Sequence, residues 1–471
     1  MGLVRYAVPL LLLVYFVARS TRQRVFLLGI PFLMYMSSSV FFENVKLFWV
    51  PARLTPSDLV MLWLVITWVI TFDLLLPPYR RVEQRPKLFG PALSSPEEFV
   101  LMGIILLAVL QVALTTVRYG GPGASLTEAK AFVYLFAGYF LLRGMLCRAG
   151  RQDTLDLIRS LVLVNTLAAL LFIAHQGLHL PIYIATEYQT ITFMGQRITR
   201  SFYFMPQLLS LAIAYVFARR TWSVFWVGVV LVTLAALWVS YTRSLVVIAV
   251  AELVVVLGVR LFKARQGNIV VRRVVTLALI VLIFGVVAYT VLPVQSHYFL
   301  SRVGMATSSG SVTGDPDLRN RIDKLKTIYS WIGTDGRYVG EGFVSSAEDP
   351  TVADVKIMSS DLVWVPVLYR FGLAGVALVV LLYATMGWRA ARLSLTGEDD
   401  AEFLGLILLG AVVGTFLESF VSWTFLNPAR YPLGLWVFAF VAAEACRRRA
   451  ELAEAPVPAP PGTRSREAAR A

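Results

Sequence analysis

The chain has 471 residues, 58% of them hydrophobic and 15% charged, with a net charge of +14 and a mean hydropathy of +0.70. A soluble chain carries roughly 25% charged residues, so a water-soluble enzyme is excluded. A nucleic-acid-binding protein is excluded too, because no soluble basic domain exists to form one.

In chain order, apolar runs near the ~20 residues that span hydrocarbon fall at about 6–18, 25–42, 58–76, 99–117, 130–146, 157–174, 202–218, 222–240, 244–260, 274–292, 362–386, 403–426 and 431–445. The runs are continuously apolar, whereas strands of a membrane barrel alternate over about ten residues. The expectation is an all-α, polytopic transmembrane helical bundle of 12–13 spans, the first and last being short. Residues 1–20, which end in Ala18-Arg19-Ser20, are expected to be an uncleaved helix rather than a signal peptide. The organisation expected is a bundle of ten spans over 1–292, a long loop over 293–361, three spans over 362–446, and a Pro-, Ala- and Arg-rich tail over 447–471 that is expected to be disordered from Ala455.

Lysine and arginine set orientation. One set of alternate loops holds 26 of them, including Arg80, Arg143, Arg151, Arg219, Lys263, Arg389 and Arg447 to Arg449. The short loops of the other set hold nine: Arg5, Lys46, Arg53, Arg118, Lys130, Arg197, Arg200, Arg243 and Arg430. The first set is therefore expected in the cytoplasm, with the C-terminus, as a collar that meets anionic headgroups. Cys147 and Cys446 sit near helix ends on that side and form neither a disulfide framework nor a metal motif.

The opposite face carries two long segments, about 175–201 and 293–361; long loops in a compact bundle tend to be functional. Asp315 and Pro316 have the character of an N-cap and first helical position. Leu318, Ile322, Leu325, Ile328 and Ile332 then recur at helical spacing, which predicts an amphipathic helix over about 316–332 with Arg319, Arg321, Lys324 and Lys326 on its polar sides. Arg243 lies in Ser240-Tyr241-Thr242-Arg243-Ser244, a tight link between two apolar helices. Its planar donors suit a phosphate; a snorkelling residue that marks a helix end is the alternative. Arg370, Glu418 and Glu252 fall inside spans, each roughly 12–14 Å below the outer surface if its helix is continuous. Charges at such depth need a partner or a water-filled cavity, so Arg370 is expected to pair with Glu418 or Glu252. No Walker A loop, His-Glu-x-x-His or Gly-x-Ser-x-Gly is present. His175, His179 and His297 offer one i, i+4 pair and no evident third ligand.

Three patches resemble the O-antigen ligase and polysaccharide polymerase superfamily of bacterial membrane glycosyltransferases. Arg197-Ile198-Thr199-Arg200-Ser201-Phe202 with Pro206 is similar to the family's Arg-x-x-Gly-x-Phe…Pro, with arginine in place of glycine and the proline one place late. Ser240 to Ser244 is similar to its Ser-Arg-Gly entry into an apolar helix. Arg321, Gly340-Glu341-Gly342, Asp361 and Tyr369-Arg370-Phe371-Gly372-Leu373-Ala374-Gly375 resemble its Arg…Gly-x-Gly…His-Asn…Gly-Leu-x-Gly module. The likeness covers about 195–385. Ser359-Ser360-Asp361 stands where ligases carry a histidine, which favours a polymerase.

The resemblance implies a protein of the bacterial inner membrane that acts on its outer face without metal or other cofactor. A donor glycan on polyprenyl diphosphate would lose its lipid diphosphate to attack by the hydroxyl of a second, lipid-linked acceptor glycan. Other envelope-assembly proteins would be its partners, and membrane lipid its surroundings. Arg197, Arg200, Arg243 and Arg321 would hold the anionic leaving group, which needs fixed cations. Asp361 would be the base, with Glu341 and Glu348 as alternatives; a helix N-cap is the other reading of Asp361. An O-antigen ligase and a flippase for lipid-linked glycan are the competing functions. A flippase would be expected to show internal repeats and midplane polar residues, and neither stands out here.

Overall fold

The computed structural model describes residues 61–62, 64–66, 96–119, 123–178, 187–194, 196–201, 206–219, 223–240, 242–263, 267–291, 293–308, 316–332, 336–343, 363–420 and 435–454. The expected spans at 6–18 and 25–42, most of that at 58–76, and the tail from Ala455 lie outside the described residues. In chain order the helices are α1 (Pro96–Tyr119), α2 (Gly123–Arg148), α3 (Arg151–Leu178), α4 (Pro206–Ala218), α5 (Val224–Ser240), α6 (Arg243–Lys263), α7 (Gly267–Val291), α8 (Pro293–Ser308), α9 (Pro316–Trp331), α10 (Gly336–Val339), α11 (Trp364–Thr396), α12 (Asp399–Glu418) and α13 (Trp436–Glu454). The described part is a helical bundle. Five of its helices are long and apolar enough to cross a membrane, at Pro96–Arg118, Arg151–Ala174, Ser244–Lys263, Trp364–Thr396 and Asp399–Glu418, as in a multi-pass membrane protein.

One element departs from the all-helical expectation. Strands β1 (Glu187–Phe193) and β2 (Gln196–Ser201) form an antiparallel hairpin in which Phe193 pairs with Gln196 and Thr192 with Arg197. Met194, at the turn, has φ +49, the left-handed conformation that tight hairpin turns require. The signal was present as a run of Thr, Ile and Phe closed by Met194-Gly195.

α12 is the central post, packed against α4, α6, α11 and α13. Small residues let neighbouring backbones approach, as is usual between helices in lipid. A Cβ on Gly405 would stand 2.5 Å from the backbone of Ser394, and one on Gly410 would stand 2.6 Å from Ala214.

Ion pairs gather at one end of the bundle. Arg143 of α2 meets Glu98 of α1, and Arg389 of α11 meets Glu97 of α1 at 2.6 Å. Arg151 of α3 bonds Glu444 of α13 at 2.6 Å, and Lys263 of α6 bonds Glu402 of α12 at 2.8 Å. The N-terminal ends of α1, α3 and α12 thus lie with the C-terminal ends of α2, α6, α11 and α13, as alternating spans demand. Much of the arginine collar is therefore spent on carboxylates of the same chain rather than on solvent or headgroups. Cys147 of α2 and Cys446 of α13, both free thiols, lie near each other there, a proximity that their separation in the chain conceals.

Candidate functional site

The Gly340-Glu341-Gly342 and Tyr369–Gly375 motifs interlock at the end opposite the ion pairs. α11 is not one straight rod. Gly372 has φ 60 and ψ −162, outside the helical region. Trp364 and Tyr383 both pack on the ring of Phe416, at 6.5 and 5.1 Å. In a continuous helix those two residues would be roughly 28 Å apart, so Trp364–Phe371 folds back on the spanning segment that follows Gly372. The glycines permit the turn. Only glycine readily adopts that φ/ψ, and a Cβ on Gly375 would lie 2.1 Å from the Cβ of Phe371.

The strap Gly336–Phe343 is clamped over this turn. Glu341 donates its backbone N–H to the carbonyl of Tyr369 at 2.8 Å, and Gly342 donates to that of Arg370 at 3.3 Å. Gln111 of α1 donates its side-chain amide to the carbonyl of Val339, and the hydroxyl of Thr115 accepts the N–H of Phe343 at 3.2 Å. Phe343 is fully buried in a triangle of edge-on rings with Phe132, 5.3 Å away, and Phe371, 5.6 Å away. Gly340, with φ +87, leaves only 2.2 Å between a would-be Cβ and the carbonyl oxygen of Arg370. The two motifs are one structural unit.

This unit corrects the depth expected for Arg370. The residue stands at the crest of the fold-back, buried, with its guanidinium 5.6 Å from the ring centres of Phe132 and Phe343. Glu418 is buried at the end of α12 and Glu252 is buried within α6. Gly410 of α12 faces Val256 of α6, so Glu252, one turn from Val256, is level with Gly414 and one turn deeper than Glu418. Arg370 therefore stands at the fold-back rather than eight residues down a straight span, and Glu252 lies one turn deeper than Glu418.

Arg321 projects from α9, which lies against α11 with Ile328 and Ile332 buried. Its guanidinium donates to the carbonyl of Phe420 at 3.2 Å, where a cation also complements the C-terminal dipole of α12. The N–H of Val363 bonds the carbonyl of Ser419 beside it at 3.1 Å. Asp361 is outside the described residues. Glu341, the alternative base, is ion-paired with Arg118 at 2.5 Å. Glu348 and His179 are outside the described residues, and His297 is hydrogen-bonded to the hydroxyl of Tyr289 at 3.1 Å.

Arg243 is the first residue of α6. The chain before it is held by Ser240, whose hydroxyl accepts the N–H of Thr242 at 3.3 Å. Arg197 and Arg200 belong to β2. The hairpin rests on α8 through Phe193, 5.2 Å from Tyr298.

Below this roof is a feature that hydropathy did not disclose. A cavity of about 700 Å³ runs between α4, α5, α6, α7 and α8, within the roughly 300–1,000 Å³ typical of ligand pockets. Its walls are apolar, among them Ile213, Leu234, Leu237, Ala249, Leu253, Val286 and Phe299. Trp238, Tyr289 and Thr290 line its roof end. The N-terminus of α6, with Arg243, and the hairpin stand at that same end.

No protein-family model matches the chain, and no curated protein matches it.

Proposed function

We propose that the protein is a metal-independent glycosyltransferase that polymerises lipid-linked oligosaccharide repeat units on the outer face of a bacterial inner membrane. The observation that carries this reading is the apolar cavity that ends beneath arginine-bearing backbone. Such a site suits an amphiphile with a long hydrocarbon chain and an anionic head, as a polyprenyl diphosphate is. Each CH₂ withdrawn from water contributes about 0.8 kcal/mol. The chain thereby anchors the donor, and the diphosphate is assigned to Arg243 with Arg197 or Arg200.

In the reaction, an acceptor hydroxyl attacks the anomeric carbon of the donor glycan. The bond from that carbon to the diphosphate oxygen breaks, and the lipid diphosphate departs with the electron pair. The proton of the hydroxyl passes to a carboxylate, a role we assign to Asp361. Glu341 is already engaged with Arg118 and with holding the strap. Arg321 keeps donors beyond the one on Phe420 with which to stabilise the departing charge.

Deletion of the gene followed by gel analysis of surface glycan tests the reading. Single repeat units are expected. Long polymer stranded on its lipid carrier would reassign the protein as a ligase, and glycan trapped on the cytoplasmic side would reassign it as a flippase.

A further inference from the structure

At the ion-paired end, away from the site above, a second cavity of about 430 Å³ lies between the ends of α1, α11 and α13. Its lining includes Arg389, Arg392, Arg448 and Arg449. Their charges are unequally answered. Arg389 is paired with the fully buried Glu97, and Arg448 donates to the carbonyl of Thr396. The guanidinium groups of Arg392 and Arg449 have no hydrogen bond or ion pair among the described residues, and both are exposed. Arg449 lies close enough to Arg389 for the two cations to act on each other. Three positive charges thus converge on one cavity without a carboxylate of their own.

The cavity sits at headgroup depth. The spanning part of α11, Leu373–Thr396, is roughly 36 Å long, against about 30 Å of hydrocarbon, so its last turns emerge from the core. Trp388, at the rim and 71% exposed, has the position of an interfacial tryptophan. From Pro96, which also lines the cavity, exposed Phe99, Met102 and Leu106 descend one face of α1 and offer an apolar track toward the bilayer centre. A soluble anion would have no use for that track.

We propose that this cavity is a binding site for an anionic phospholipid of the arginine-rich leaflet. Arg392, Arg448 and Arg449 hold its phosphate, and its acyl chains lie along α1. Basic recesses between transmembrane helices on this side of a membrane are suited to such headgroups. The proposal is independent of the glycosyltransferase reading.

The test uses the full chain purified in a neutral detergent and examined by native mass spectrometry with added phosphatidylglycerol or phosphatidylcholine. At least a tenfold preference for phosphatidylglycerol is expected, lost in Arg392→Ala/Arg449→Ala and kept in Arg392→Lys/Arg449→Lys. In vesicles, brominated phosphatidylglycerol should quench the wild-type protein more than brominated phosphatidylcholine does, with the difference absent in Trp388→Phe. That second measurement decides the matter if the alanine variant fails to fold. Equal retention of the two lipids, equal quenching, or displacement of phosphatidylglycerol by inorganic phosphate at comparable concentration would overturn the proposal.

Discussion

Removing the ring of Phe343 should release the strap without unfolding the bundle. The side chain is fully buried and has two ring neighbours, and such truncations cost about 3–5 kcal/mol. The strap is short, and its other ties are few backbone and side-chain hydrogen bonds, each worth about 1 kcal/mol net. The cost should therefore fall on local opening, which proceeds independently of global unfolding. At about 1.4 kcal/mol per tenfold, the amides of Glu341 and Gly342, bonded to the carbonyls of Tyr369 and Arg370, should exchange hydrogen roughly a hundredfold to a few thousandfold faster in Phe343→Ala. Phe343→Leu, which refills most of the space, should give a far smaller change. Exchange mass spectrometry on the protein in nanodiscs reads both. Unchanged protection of the strap in a folded Phe343→Ala protein would show that the aromatic triangle does not hold it.

Gly372→Ala places a side chain at φ 60, with its Cβ 2.5 Å from the backbone of Tyr338. A loss of about 1–3 kcal/mol from the backbone alone should lower the melting temperature, measured by fluorescence-detected gel filtration, and unaltered melting would contradict the fold-back. Arg389→Ala strands the buried Glu97 and should cost about 3–5 kcal/mol; adding Glu97→Gln should recover most of it in the same melts. Arg243→Ala and Arg321→Ala should abolish polymerisation at normal protein level, and wild-type activity in either would remove that residue from the site. Gly285 lines the long cavity with no atom within 4 Å of a would-be Cβ, so Gly285→Phe should fit. It should raise KM for a lipid-linked donor without changing the melting temperature, and an unchanged KM would empty the cavity of its proposed role.

The elements most legible in the sequence were those set by local pattern. Each of the five helices long and apolar enough to cross a membrane falls on an apolar run of the sequence. The spacing of Ile322, Leu325, Ile328 and Ile332 anticipated α9, which runs Pro316–Trp331. The hairpin falls in the long segment 175–201, where a short β-branched run among apolar helices carries too little pattern to stand out as strand. The fold-back was hidden for a different reason. Trp364–Thr396 is apolar enough overall to read as one spanning helix, and hydropathy is blind to a single reversed φ at Gly372. The depth assigned to Arg370 failed with that assumption.

What the sequence determined by itself, then, is the environment. Enough apolar surface runs through this chain that its backbone groups must be satisfied within helices in lipid, and its basic residues are distributed to give those helices two unlike ends. Only the tertiary structure decided which charges meet. Arg389 and Glu97, Arg151 and Glu444, and the two glycine motifs each join residues far apart in the chain, and the cavities form only where separate helices fail to touch. Such contacts depend on helix packing and on backbone turns, to which local periodicity carries no reference.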